Sequence, residues 1–237
     1  MVYLTKQKVG KMDYLFINAN YKEDIELDKE TLNYCKKYKT LALYTSIQFS
    51  NKLKTIISQL KKSNIKVITS KPKRANSDYQ LLGCDISYND LNLETEPDAF
   101  LYIGDGLFHP LTLIYAQKKE VIQFNPFTKQ HNILTLKDIE KILKKNKANL
   151  TKFLHSDIIG IIISIKPGQQ QFIKSKELIE KFPNKQFYFF IDNNINLNNL
   201  ENFPFIQCWV NASCPRIALD DIQDFNIPII NLNDVLK

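Results

Sequence analysis

The 237-residue chain contains no Cys-x-x-Cys pair, which excludes a zinc ribbon or a thioredoxin-type redox motif. Its four cysteines, Cys35, Cys84, Cys208 and Cys214, are too few and too widely spaced for a small secreted disulfide scaffold. Neither a Gly-x-Gly-x-x-Gly fingerprint nor a phosphate-loop lysine motif is present, so nothing points to a nucleotide-binding α/β regulator. No apolar run approaches the ~20 residues of a membrane span. The longest, from Ile158 to Ile165, is interrupted by Gly160. The first residues, Met1 to Lys6, lack the apolar core of a secretion signal. These absences predict a cytoplasmic protein without a membrane partner, whose cysteines are buried thiols or metal-bound.

Charge is ordinary in amount, with an excess of basic residues. The net charge of +7 comes almost entirely from lysine, with few arginines to read bases or phosphates in bidentate fashion. The lysines sit on predicted helix faces, such as Lys141, Lys144, Lys145 and Lys147, as in a solvated surface. Direct nucleic-acid binding is not expected. At this length, one large or two small domains are the default.

Apolar runs alternate with helical patterns. Strands are predicted at Tyr14–Ile17, Leu41–Tyr44, Val67–Thr69, Ala99–Ile103, Val121–Phe124, Ile158–Ile165, Phe187–Ile191, Ile206–Val210 and Ile227–Ile230. Most are continuously apolar, as expected when helices cover both faces of a sheet. Between them, Leu53, Ile56, Ile57 and Leu60 make one helical stripe, and Leu136, Ile139, Ile142 and Leu143 make another. This alternation predicts an α/β protein of two consecutive small domains, each a mostly parallel sheet of four to five strands flanked by helices. A short leader covers residues 1–12. The first domain, carrying Cys84, spans 13–130, and the second, carrying Cys214, spans 131–237, with the boundary in the polar stretch Thr128–Asn132.

Functional loops of parallel sheets gather at the carboxyl ends of the strands. Four turn-rich segments fall there: Leu82-Gly83-Cys84-Asp85, then Gly104-Asp105-Gly106-Leu107-Phe108-His109-Pro110, then Lys166-Pro167-Gly168-Gln169, then Asn211-Ala212-Ser213-Cys214-Pro215-Arg216. Only six glycines occur in the chain, so three of them (Gly104, Gly106, Gly168) in two such loops suggest close backbone approach to a ligand. Cys84 and Cys214 lie beside turn-forming residues, where two thiolates can face a cleft and share a metal. Pro215 suits the first turn of a helix, whose positive end would favour a thiolate at Cys214.

Taken in order, Leu-Gly-Cys, Gly-Asp-Gly-Leu-Phe-His-Pro, Lys-Pro-Gly-Gln and Asn-Ala-Ser-Cys-Pro-Arg-Ile-Ala-Leu-Asp-Asp, together with Thr45-Ser46-Ile47-Gln48-Phe49, resemble the diphthamide synthase family, the radical 3-amino-3-carboxypropyl transferases. The resemblance runs from about Asp13 to the carboxyl end. It implies three similar α/β domains that each contribute one cysteine to a four-iron four-sulfur (4Fe-4S) cluster, with Cys84 and Cys214 as the second- and third-domain ligands. It further implies S-adenosylmethionine as substrate, cleaved with an electron from the cluster to a 3-amino-3-carboxypropyl radical that adds to a histidine of translation elongation factor 2. Such an enzyme needs an electron donor, and family members act as dimers. The family's first domain, with its own ligand, should precede Asp13, where twelve residues stand. Three explanations are open: a separate polypeptide supplies that domain and the third cysteine, the sequence is a fragment, or the chain supports a catalytic partner.

Each candidate has a plainer reading beside it. Cys84 can be a buried structural thiol, and Cys35 and Cys208 read as packing residues, although Cys208 is close enough to Cys214 in sequence to be a replacement ligand. His109 either meets a substrate carboxylate or caps a helix. Asp105 either caps the same helix or faces a substrate amine. The resemblance gives Gly168 and Gln169 to the amino-acid part of the cosubstrate, and the alternative is an ordinary turn. Arg216 pairs with a carboxylate of the ligand or with Asp220 four residues on.

Overall fold

The computed structural model describes residues 4–9, 12–17, 19–75, 77–85, 88–166, 169–221 and 227–237. It divides into two units, Met1–Ile139 and Glu140–Lys237.

In the first unit, β1 (Leu4–Val9) and β2 (Met12–Ile17) pair antiparallel as a hairpin. The run at Tyr14–Ile17 therefore does not join the main sheet, and the expected leader supplies half of this hairpin. There follow α1 (Lys29–Cys35), β3 (Thr40–Thr45), α2 (Lys54–Lys62), β4 (Lys66–Ile68), β5 (Ala99–Ile103), α3 (Phe108–Gln117), β6 (Val121–Asn125) and β7 (Gln130–Leu134). Asp28 starts α1 by accepting a hydrogen bond from the Thr31 amide at 3.0 Å. The sheet order is β4-β3-β5-β6-β7, parallel except for β7. Its core joins Leu41, Leu43, Leu101, Ile103 and Phe124 to the stripe of α2, where Leu53, Ile56 and Leu60 are buried.

The polar stretch read as a linker thus belongs to the first sheet, and the unit extends to Ile139. An antiparallel edge strand can leave one face to water, so β7 carries the polar residues Gln130, His131 and Asn132 without losing its place. The second predicted stripe is also divided. Leu136–Ile139 forms a 3-10 turn with Leu136 exposed, and the following helix, α4 (Glu140–Leu154), buries Asn149 and Phe153.

The second unit continues with β8 (Ile158–Ser164), α5 (Phe172–Ser175), α6 (Glu177–Lys181), β9 (Gln186–Asp192), β10 (Cys208–Asn211), β11 (Ile229–Asn231) and α7 (Leu232–Leu236). All four strands are parallel, in the order β11-β10-β8-β9. One sheet face packs Cys208 and Val210 against Phe153 and Leu178. The other packs Trp209 with Ile162 and Ile206, so Ile206 does not share the face of Cys208 and Val210. Gly160 explains the break in the apolar run of β8: a Cβ there would lie 2.5 Å from the ring of Trp209. Among the described residues no helix is long and apolar enough to cross a membrane.

Candidate functional site

Open parallel sheets leave a crevice where neighbouring strands send their connections in opposite directions. In the first unit that point lies between β3 and β5, because β3 connects onward to β4 on one side and β5 to β6 on the other. In the second it lies between β8 and β10, since β8 leads to β9 on one side and β10 neighbours it on the other. The candidate loops occupy these two points.

At the β3 end, residues 79–81 run alongside Thr45: its amide donates to the Tyr79 carbonyl at 2.8 Å, and its carbonyl accepts from the Leu81 amide at 2.9 Å. This pairing carries the Leu82–Asp85 turn to the carboxyl end of the sheet. Cys84 is half-buried there, and its carbonyl accepts a 2.9 Å hydrogen bond from Arg74 Nη2. Asp85 is buried, and its Oδ2 accepts from the Leu82 amide at 2.8 Å. Burial pushes the Asp85 carboxyl up to about 6, against the lowering effect of that amide and of nearby Arg74.

Gly83 connects the cysteine turn to α3. A Cβ at this position would lie 2.1 Å from Phe108 Cε1, so the absence of a side chain lets the ring sit over the backbone next to Cys84. Phe108 meets His109 edge to face, with centroids 5.1 Å apart, and His109 stacks on Tyr102 at 5.7 Å and 18°. Gly104 completes the row, since a Cβ would fall 2.9 Å from the Tyr102 hydroxyl. Cys84, Gly104 and His109 therefore share one neighbourhood. Tyr102, which sequence reasoning took only as strand core, is its centre. Burial, with the Asp105 carboxylate adding to it, raises its pKa well above the ordinary phenol range against the lowering effect of Ser46. Asp105 is exposed and does not cap α3, whose N-cap is Leu107 without a side-chain bond. Gly106 has φ of +67° and open space where a side chain would stand.

In the second unit, the loop from Ala212 to Arg216 follows β10. Cys214 is half-buried, while Arg216 is 7% exposed. The helix expected after Pro215 is a single π-helical turn, Ile217–Asp221, too short to offer a developed dipole. Two buried asparagines hold the loop instead. Asn211 Nδ2 donates to the Cys214 carbonyl and to Asn231 Oδ1, both at 2.8 Å, and Asn231 Nδ2 donates to the Pro215 carbonyl at 3.0 Å. Neither asparagine was singled out from sequence, although Asn211 stands inside the quoted motif. Gln169 is half-buried in a turn closed by its amide on the Lys166 carbonyl at 3.1 Å. Gly168 and the Asp220 side chain fall outside the described residues.

The remaining cysteines are core residues. Cys35 and Cys208 are fully buried, and burial pushes each thiol up to about 12. Cys208 Sγ lies 3.5 Å from the Pro228 carbonyl, inside the second unit, and is not placed as a ligand. A cavity of about 620 Å³ is lined by Lys73, Glu94 and Glu96, which precede β5, and by Gln117 at the end of α3, and holds none of the candidate residues. Within neither unit do three or more His, Cys, Asp or Glu side chains gather as a metal site among the described residues.

Residues 3–236 match the family model described as diphthamide synthesis protein. The chain belongs to the diphthamide synthesis family. This member is 29% identical over 215 residues to the 2-(3-amino-3-carboxypropyl)histidine synthase of Pyrococcus horikoshii, covering 89% of the chain and 60% of that relative. It is 28% identical to the synthase of the same name from Methanocaldococcus jannaschii, covering 91% of the chain and 58% of the relative. It is 25% identical to the Caenorhabditis elegans protein named subunit 1 of that synthase, covering 92% and 55%. Among solved structures, Dph2 from Pyrococcus horikoshii with a 4Fe-4S cluster superimposes with a TM-score of 0.73 at 27% identity, covering 87% of the chain and 59% of Dph2. This diphthamide synthesis family chain thus spans about 60% of the length of the archaeal relatives it matches.

Proposed function

We propose that this chain acts in 2-(3-amino-3-carboxypropyl)histidine synthesis, with Cys84 and Cys214 each giving one thiolate to a 4Fe-4S cluster. The observation that carries this reading is the contrast among the four cysteines: Cys84 and Cys214 stand half-buried in turns at the carboxyl ends of parallel strands, while Cys35 and Cys208 are sealed in cores. Thiolate sulfur is the donor that iron-sulfur clusters take, and both loops fix their backbone by hydrogen bonds to the carbonyl of the cysteine itself. When bound, such a cluster supplies the electron that cleaves a carbon-sulfur bond of S-adenosylmethionine. The 3-amino-3-carboxypropyl radical, released with a neutral thioether as leaving group, would add to the imidazole of a histidine of elongation factor 2, in the cytoplasm, and the adduct would lose one electron and one proton to restore the ring.

The chain's own residues bind and orient that substrate. Asp105 offers an exposed carboxylate to the substrate amine, and His109, held flat against Tyr102, donates to the substrate carboxylate. Arg216 offers a guanidinium to a carboxylate of the ligand, Gly104 permits close backbone approach to a ligand, and Gln169 serves the amino-acid part of the cosubstrate, a role the family resemblance also gives to Gly168. The remaining cluster ligand comes from outside these two loops, in a dimeric assembly served by an electron donor. The half-exposed ring of Phe108 lies over Gly83, the neighbour of Cys84.

Anaerobic reconstitution with iron and sulfide, followed by assay of carboxypropyl transfer to the factor, tests this. Loss of the charge-transfer absorbance in both Cys84→Ala and Cys214→Ala, with Cys208→Ala unchanged, is the expected result. A cluster that forms equally well in Cys84→Ala sinks the assignment. Relatives named as one subunit of such a synthase make a multi-subunit assembly relevant, and the second reading is a non-catalytic subunit that docks elongation factor 2 or relays electrons. Cluster binding without transfer, even with the partner present, would favour it.

A further inference from the structure

Every carbonyl from Ala212 to Pro215 is engaged by a group outside that tetrapeptide. The Gln171 amide donates to Ala212 at 3.2 Å and its Nε2 to Ser213 at 3.1 Å, Asn211 Nδ2 donates to Cys214, and Asn231 Nδ2 donates to Pro215. Asn211 Oδ1 also accepts from the Ser213 amide at 3.1 Å, so the two asparagines spend their bonds on this loop and on each other. They are 1% and 3% exposed. Buried amides of this kind cost desolvation and serve conformational uniqueness only when satisfied, and two apolar residues would hold β10 to β11 as well. The asparagines' bonds fix the loop backbone from which the Cys214 side chain projects. Gln171 does the same from the loop after β8, stitching the two sides of the switch point together.

We infer that Asn211, Asn231 and Gln171 are positioning residues that preset the Cys214 thiolate through its loop backbone. The inference rests on the proposed ligand role of Cys214, but its first readout does not. In the full chain, iodoacetamide alkylation of Cys214 is followed by peptide mass spectrometry against Cys84 as internal reference, with Cys35 and Cys208 reporting global unfolding. Asn231→Asp replaces the donor to Pro215 with an acceptor at equal size, and Gln171→Leu removes the Ser213 bond at a half-buried position. Each should raise the Cys214 to Cys84 rate ratio by about fivefold, the scale of one lost net hydrogen bond, while Cys35 and Cys208 stay protected. The second readout is the electron paramagnetic resonance signal of the reconstituted, reduced cluster, expected to shift or broaden in Gln171→Leu. An unchanged rate ratio in Gln171→Leu with an unchanged signal overturns the inference, whether or not Asn231→Asp folds. A wild-type chain that takes up no cluster, either alone or within its dimeric assembly, instead sinks the proposed function, and the alkylation ratio still judges the positioning role.

Discussion

Gly83 and Gly106 stand in the two loops that flank the same helix, and they are glycine for different reasons. At Gly106 the backbone is left-handed with room for a side chain, so Gly106→Ala costs only the conformational strain, about 1 kcal/mol, and leaves the neighbourhood of Tyr102 intact. At Gly83 a methyl group would collide with the ring of Phe108, which is 49% exposed and can swing into water. Gly83→Ala should therefore lose less than about 1 kcal/mol in urea unfolding, since surface adjustments fall near that scale. It should nevertheless raise the alkylation rate of Cys84, because the displaced ring no longer covers the adjoining backbone. An unchanged rate would mean that the ring does not shield the thiol. The glycine loops and both loop cysteines were visible in the sequence as turn-rich punctuation after apolar runs. Tyr102 was not, since a tyrosine inside Ala99–Ile103 reads as one more core residue of a buried strand.

Among the strands, β8 and β7 show how a pattern can be right for a reason the sequence does not display. Gly160 interrupts the apolar run of β8, and the packing of Trp209 requires that interruption. Trp209 is 1% exposed and touches Phe190 and Phe203, so its ring has nowhere to retreat. Gly160→Ala should destabilise the second unit by about 1–3 kcal/mol, the usual cost of overpacking. Trp209 is the only tryptophan in the chain, so its fluorescence reports that transition directly. A midpoint within error of wild type would show that the ring can relocate. The strands β3 to β6 and β8 to β11 were legible from continuous apolar runs, whereas β7 was not. Two of its five residues are exposed, and a short polar strand has the composition of a linker until its partner β6 is in place.

For the chain as a whole, alkaline stability follows from its sealed thiols and phenols. Burial pushes Cys35, Tyr44 and Cys208 each up to about 12. A folded-state pKa above the unfolded one means that the fold holds the proton more tightly, so stability is full below the unfolded values and declines as pH rises. The decline should begin near pH 9, where unfolded thiols ionise, and deepen toward 12. Urea midpoints measured from pH 7 to 11 check the sign, and Cys208→Ala should flatten the slope for the second unit. A midpoint that rises across this range would contradict the burial of these groups.

Alternation of apolar runs with amphipathic stripes determined, without any coordinates, that this is an α/β protein of parallel sheets with its candidate loops after the strands. Those features are local, because each depends on residues within a turn or a strand of one another. Tertiary structure alone decided that the Cys214 loop is held by asparagines twenty positions apart rather than by a helix start, and that a polar segment closes the first sheet. The bonds responsible join groups that are distant along the chain, and a buried amide reveals its role only once its partner is opposite it.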